Sequence, residues 1–252
     1  MTLKPQESWA LFLDVDGTLL DIADSPEKVY VPAGLTDALQ ALWRILNGAL
    51  ALVSGRPIAT LDRLFFPLRL PSAGQQGSEL RLSADGEIKG LPVAPTRARI
   101  RREIASMIAD FPGVDVEDKG LSIAIHYRRR PDIGDLLEGQ LARIVTADGG
   151  CFAIAHGKMV LELHDSRYSK ATAVHAFMHH STFQKRVPLF VGDDVVDEEG
   201  FLAAEHYGGI AMAVGEVHRL KRRIVFNGPA EVRFWLEDLI DRLSTGRPPC
   251  LI

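Results

Sequence analysis

Asp14 and Asp16 are the first residues of this chain whose types and spacing could do chemistry. They sit in Leu11-Phe12-Leu13-Asp14-Val15-Asp16-Gly17-Thr18, an apolar run ending in two carboxylates at i, i+2, then glycine and a hydroxyl. The run reads as a buried strand and the glycine as the turn that stops it. One carboxylate could attack phosphorus and form an acyl-phosphate. The other could protonate the leaving alcohol, then deprotonate the water that cleaves that intermediate. Two acids at one strand end repel each other and lose hydration, so the pair asks for a cation. The same D-x-D-G spacing also suits a capped turn, so other residues must decide.

They do. A second apolar run, Val187-Pro188-Leu189-Phe190-Val191, ends in Gly192-Asp193-Asp194, with Asp197 and Glu198 following. A parallel sheet could set this strand end beside Asp14, and a hard cation such as Mg²⁺ takes one or two carboxylates together with water and substrate phosphate. The helix dipole accounts for acids in a first turn, Glu198 and Glu199 included, but not for acids at both strand ends. A third short apolar run, Ala49 to Val53, ends in Ser54-Gly55-Arg56-Pro57, a strand end before a helix whose N–H groups favour an anion. Lys170, beside Ser169 at a helix start, could neutralise charge between nucleophile and phosphate.

These positions need a scaffold that gathers strand ends. Helical periodicity over 33–46, the strand over 49–53, a strand-like 68–70 and the turn-rich 73–79 predict alternating strands and helices, hence a doubly wound, Rossmann-like parallel sheet. The prolines of Leu91-Pro92-Val93-Ala94-Pro95 mark a linker. Beyond it the spacing predicts a helix over 97–109, a half-buried strand over 120–127, a helix over 133–145 and strands over 151–155 and 159–163. That is a small α+β insert with a largely antiparallel sheet, one face free for water or a ligand. The doubly wound pattern resumes with a helix over 171–178, the strand ending at 191, a helix over 199–205, a strand over 209–214 and an amphipathic helix over 230–243. The expected organisation is an α/β core of residues 1–92 and 167–252, with an inserted α+β cap at 93–166.

Composition narrows the function. The chain has 252 residues, 46% hydrophobic and 25% charged, with formal net charge −4. That balance fits a soluble globular protein and disfavours nucleic acid as a partner. Two distant cysteines, Cys151 and Cys250, fit a reducing, cytoplasmic setting without a disulfide framework. The polar residues 1–8 lack a signal-peptide core, and no apolar run approaches the ~20 residues of a membrane span, so no membrane is expected.

Asp14-Val15-Asp16-Gly17-Thr18, Ser54, Lys170 and Gly192-Asp193-Asp194 together resemble, in order, the four motifs of the haloacid dehalogenase superfamily of phosphohydrolases. The resemblance implies Asp14 as nucleophile and Asp16 as acid/base. It implies Mg²⁺ held by Asp14, the backbone carbonyl of Asp16, and Asp193. Asp194 and Asp197 would support the ion from behind, while Thr18, Ser54 and Lys170 orient the attack and bind phosphate. An acid at position 16 favours phosphatases and phosphomutases over dehalogenases and ion-pumping ATPases, and an insert between the second and third motifs looks like a C2-type cap.

Nearly the whole chain is also similar to the bacterial trehalose-phosphatase family, through Gly48 to Arg56, Glu117-Asp118-Lys119-Gly120, His126-Tyr127-Arg128, Gly157 to Glu162, and Gly192 to Glu198. That similarity implies trehalose 6-phosphate as the small-molecule substrate and a functional link to a trehalose-phosphate synthase. Glu117, Lys119 and Glu162 would bind sugar hydroxyls, with Arg56, Arg128 and Lys158 at the same mouth. Two positions depart from the family pattern: Gln76 stands where histidine is frequent, and Ala171 where glycine follows the lysine. Other readings are another phosphosugar phosphatase, a phosphomutase, or a non-catalytic sugar-phosphate-binding partner of the synthase. His175, His179 and His180 read as a solvated helix face, the runs Arg128–Arg130 and Arg219–Arg223 likewise except for Arg128, and Cys151 as a small buried hydrophobe.

Overall fold

A computed structural model describes residues 9–23, 28–92, 94–157, 159–215 and 224–247. Lys158, Cys250 and the Arg219–Arg223 run lie outside the described residues.

The apolar runs become the centre of an eight-stranded sheet. Its strands are β1 (Trp9–Leu13), β2 (Leu50–Val53), β3 (Ser72–Gly74), β4 (Glu79–Arg81), β5 (Lys89–Gly90), β10 (Val187–Gly192), β11 (Ile210–Val214) and β12 (Ile224–Phe226), in the order β12-β11-β10-β1-β2-β3-β4-β5. From β12 to β3 all pairings are parallel, and β4 and β5 continue antiparallel. Both faces are covered by helices α1 (Leu35–Ile45), α2 (Ile58–Leu64), α5 (Lys170–Met178), α6 (Asp197–His206) and α7 (Pro229–Thr245). Burial on both faces explains why β1, β2 and β10 read as continuous apolar runs rather than alternating ones. Phe12, Phe177 and Phe183 stack at this core with ring centroids 5.0–5.8 Å apart.

The predicted strand over 68–70 is not one. Leu68 and Leu70 are buried in the coil that leads into β3, so their apolar character reflects packing rather than sheet pairing.

Between β5 and α5 the chain builds a second, antiparallel sheet. Its strands are β6 (Asp115–Asp118), β7 (Ile123–His126), β8 (Phe152–Gly157) and β9 (Val160–Asp165), ordered β6-β7-β9-β8, with helices α3 (Arg97–Ile108) and α4 (Gly134–Ala147). Ile123, Ile125, Leu161 and Leu163 pack with Ile100, Ile104, Leu137 and Leu141 of the helices. Strand alternation sends the intervening side chains to the opposite face. There Glu117 pairs across from Ala124, Ala124 from Glu162, and Glu162 from Ala155, a row with small residues beside the two acids. Strand β6 carries Asp-Val-Glu-Asp, all four exposed, and gives the sequence no apolar alternation to betray it.

The two crossings between the sheets are tied together, since Arg167 donates from Nη2 to the carbonyl of Pro92 at 2.8 Å while gripping Asp165. Cys151 is exposed, contrary to its reading as a buried hydrophobe. It ends the Gly149-Gly150 turn one residue before β8, and Phe152 takes the core position. His175 and His179 also differ from a purely solvated face: their rings pack edge-on with Tyr207, and His175 with His206. No helix among the described residues is long and apolar enough to cross a membrane.

Candidate active site

Because β10, β1 and β2 are neighbours running in parallel, their carboxyl ends lie side by side, and Asp193, Asp14 and Ser54 leave the sheet at one edge. The N-terminus of α5 supplies Lys170 to the same place. Ser169 caps that helix through the backbone N–H of Thr172, and Thr172 bonds back to Ser169, which fixes where the lysine begins. Lys170 is 3% exposed, not a surface cation, and its Nζ donates to Asp14 Oδ1 at 2.7 Å and Asp197 Oδ1 at 2.6 Å. The other oxygen of Asp197 accepts the backbone N–H groups of Asp193 (3.1 Å) and Asp194 (3.0 Å), so Asp197 clamps the turn after β10. Thr18 donates to Asp193 Oδ1 at 3.2 Å.

Gly17 shows how tightly the two acidic turns meet. Its φ is +89°, and a Cβ there would stand 2.0 Å from Asp193 Oδ2. A side chain at 17 would be strained at this φ and would displace the Asp193 carboxylate.

Charge in this pocket is unbalanced. Burial pushes the Asp14 carboxyl up to about 7 against the pull of Lys170, and burial also raises Asp197. Burial would discharge Lys170, but its two carboxylate partners outweigh that and hold the ammonium charged. One ammonium cannot neutralise two carboxylates, and the surplus negative charge favours protonation on the carboxylate side. Asp14, Asp193 and Asp197 each offer an oxygen, all within 4.8 Å of one another. Three carboxylate donors facing a single ammonium match a hard divalent cation in both ligand type and charge. Asp197 lies within this oxygen cluster, while its two oxygens already accept Lys170 Nζ and the backbone N–H groups of Asp193 and Asp194. The Asp16 carboxylate does not join it: Arg56 grips it from two sides, Nε to Oδ2 at 2.6 Å and Nη2 to Oδ1 at 2.7 Å. Ser54 accepts the backbone N–H of Arg56 at 3.1 Å, shaping the loop that aims this guanidinium.

Above lies a cleft of about 900 Å³ whose floor includes Asp14, Asp16, Ser54, Lys170, Asp193 and Asp194, and whose roof is the second sheet. Glu117, Lys119, Arg128 and Glu162 all line it, and so does Arg56. Glu117 stays half-exposed beside His126, whose bond to it at 3.0 Å, helped by Lys119 and Arg56 against partial burial, holds its carboxyl below the ordinary value. Arg128 is exposed and reaches the carbonyl of Ala23. Arg129 pairs at the surface with Asp115, and Arg130 with Asp132.

Glu162 is 5% exposed. Burial alone would raise its carboxyl, but the Lys119 ammonium at 3.0 Å and bonds from Ser122 and Gln76 outweigh burial and hold it low. Lys119 also donates to the carbonyl of Gly55 at 3.1 Å, joining roof to floor. Motif spacing does not reveal Gln75, Ser122 or the Gly55 carbonyl. The one local signal is the glycine-bounded pair of glutamines at 75–76.

A family model described as trehalose-phosphatase matches residues 12–222. A probable trehalose-phosphate phosphatase of Sinorhizobium fredii is 41% identical over 209 residues, covering 83% of this chain and 78% of its own length. The trehalose-6-phosphate phosphatase of Escherichia coli is 37% identical over 251 residues, covering 98% and 93%. In fold, the chain superposes on the solved C-terminal domain of the C. albicans trehalose-6-phosphate phosphatase with a TM-score of 0.81 at 20% identity, over 93% of each chain.

Proposed function

The chain belongs to the trehalose-phosphatase family of the haloacid dehalogenase superfamily, and from that premise we propose that it hydrolyses trehalose 6-phosphate to trehalose and inorganic phosphate. The observation that carries this reading is the meeting, over one cleft, of a buried Asp14–Lys170–Asp193–Asp197 cluster and a roof of charged side chains, Glu117, Lys119 and Glu162.

In the first half-reaction an Asp14 oxygen attacks phosphorus, and the bond from phosphorus to the sugar O6 breaks. Asp16, protonated, gives its proton to that oxygen and leaves as carboxylate. In the second, Asp16 takes a proton from water as the water oxygen attacks phosphorus. The acyl-phosphate bond to Asp14 breaks, inorganic phosphate departs, and both residues return to their starting states. Lys170 keeps Asp14 aimed and offsets charge on the phosphoryl oxygens, with Ser54 and Thr18 beside it. Asp14, Asp193 and the backbone carbonyl of Asp16 would hold Mg²⁺, with Asp194 and Asp197 supporting them. When bound, the ion screens the negative charge of phosphate and carboxylate from each other.

The grip of Arg56 on Asp16 has to relax for the acid to work, and an incoming phosphate is the natural competitor for that guanidinium. We read residues 93–166 as a cap on a core of 1–92 and 167–252, with Glu117, Lys119, Arg128, Lys158 and Glu162 reading the disaccharide. An exposed free Cys151 fits a reducing cytoplasm, and a synthase that forms the phosphorylated disaccharide is the matching upstream activity.

Phosphate release from trehalose 6-phosphate, glucose 6-phosphate, sucrose 6-phosphate and mannose 6-phosphate, with Mg²⁺ and with EDTA, tests the proposal. Mg²⁺-dependent release confined to trehalose 6-phosphate is expected. Release from another sugar would overturn the cap reading and keep the chemistry. Phosphate moved within the substrate without release would mean a mutase, and binding without turnover a non-catalytic partner.

A further inference from the structure

Gln75 is buried beside the cleft, next to Gln76 of its lining, and belongs to none of the motifs above. It is 2% exposed and holds φ +47°, followed by Gln76 at +57° and Gly77 at +93°. Left-handed backbone at a residue with a side chain costs about 1–2 kcal/mol relative to glycine. Two successive glutamines in that region therefore call for a use of their side chains.

The structure supplies one. The Gln75 side-chain carbonyl accepts the backbone N–H groups of Leu121 (3.0 Å) and Ser122 (3.2 Å), in the turn between β6 and β7 of the second sheet. Its amide nitrogen donates to Glu79 Oε1 at 2.6 Å, and the other oxygen of Glu79 accepts the N–H of Ile58, the first residue of α2. With N–H donors at one end and a carboxylate at the other, only one orientation of the amide satisfies both.

The backbone of this turn is anchored as firmly. Gln75 N–H bonds the carbonyl of Arg56 (3.1 Å) and Gln76 N–H that of Ser54 (3.2 Å), while Gly77 lies where a Cβ would stand 2.4 Å from the Ser169 carbonyl. The turn is thus wedged between the Ser54–Arg56 loop and the start of α5, the two segments that carry Arg56 and Lys170. On the far side, the captured 119–122 turn bears Lys119, and Ser122 places its one hydroxyl proton on Glu162 Oε1 at 2.5 Å.

We propose that Gln75 is a positioning residue for substrate selection: a side-chain bridge that registers the sugar-reading turn of the second sheet against the phosphate-binding floor. The inference rests on the proposed function for its substrate. Its geometry needs an acceptor at one end and a donor at the other, which neither Met nor Glu provides beside Glu79.

Three variants of the whole chain test it. Gln75→Met keeps the volume and removes both bonds. Gln75→Glu sets two carboxylates face to face. Gln75→Glu/Glu79→Gln restores every bond with the donor now on residue 79. For the first two, KM for trehalose 6-phosphate is expected to rise about tenfold, the loss of one to two hydrogen bonds. Turnover of p-nitrophenyl phosphate, a small ester that needs no sugar contacts, is expected to stay within about twofold, and the double swap to recover KM. Amide hydrogen exchange at Leu121 and Ser122 reads the bridge without substrate, and protection there is expected to fall at least fivefold in Gln75→Met and return in the swap. Unchanged exchange in Gln75→Met, a parallel fall of both activities, or no recovery in the swap would overturn the proposal. If the wild-type chain leaves trehalose 6-phosphate intact, the proposed function fails instead, and the exchange result still decides whether Gln75 makes the bridge.

Discussion

At the scale of single residues, Asp14 and Asp16 lie two positions apart and inhabit different surroundings: one buried against Lys170, the other gripped by Arg56 at the cleft wall. Asp14→Asn keeps the shape and removes the carboxylate proposed to attack phosphorus. Steady-state phosphate release is expected to fall at least a thousandfold with the thermal midpoint kept or raised, because a buried charge is lost. Arg56→Lys keeps the charge but not the two-pronged hold, and kcat/KM is expected to drop about tenfold or more. Unaltered kcat/KM would show that the two-pronged guanidinium is not needed to take up the phosphate. The acids at positions 14 and 193 are legible in sequence because an apolar run that stops at a carboxylate is unusual and the sheet brings such ends together. Lys170 is less so: a lone lysine is ordinarily solvated, and only the fold reveals the two carboxylates that bury it. Gln75 is illegible, because a side-chain amide acquires its meaning from partners 4 and 46 positions away.

At the scale of elements, the roof sheet turns on the row Glu117, Ala124, Glu162, Ala155 and on the ion pair of Lys119 with Glu162. Glu162→Gln leaves Lys119 without its carboxylate in a nearly dry place. KM for trehalose 6-phosphate is expected to rise at least tenfold, with p-nitrophenyl phosphate turnover little changed and the thermal midpoint lowered by several degrees. Comparable losses on both esters would move Glu162 out of substrate reading. The pair also sets a pH response. Because the folded-state carboxyl of Glu162 lies below its unfolded value, its contribution is present above about pH 4.5 and is lost as pH falls through the lower folded value. The acid limb of the melting curve should therefore be shallower in Glu162→Gln than in wild type. Two elements escape a reading by pattern, for opposite reasons. Strand β6 is an edge strand whose charged residues face water and the cleft, so it lacks alternation, whereas 68–70 alternates because coil can also bury leucines.

For the whole molecule, the cluster at the strand ends makes stability depend on pH and on cation together. With EDTA, Asp14 binds its proton up to about pH 7 when folded but only to about 3.8 when unfolded. A folded-state value above the unfolded one means stability is lost as pH rises between these limits, on the order of a few kcal/mol. The thermal midpoint in EDTA should fall from pH 5 to pH 8. Mg²⁺ should raise it more at pH 8 than at pH 5, because binding needs the carboxylates free of protons. A midpoint in EDTA that is flat or rises over that range would count against a protonated cluster.

The crossing point of the two sheets carries one more consequence. Arg167 and Pro92 hold together the place where the chain leaves the parallel sheet and the place where it returns. A detour that begins and ends at one spot can be lengthened, shortened or replaced without reordering the strands that carry Asp14, Ser54 and Asp193. Under the proposed division, attack on phosphorus and choice of alcohol would then be written in separable stretches of the chain.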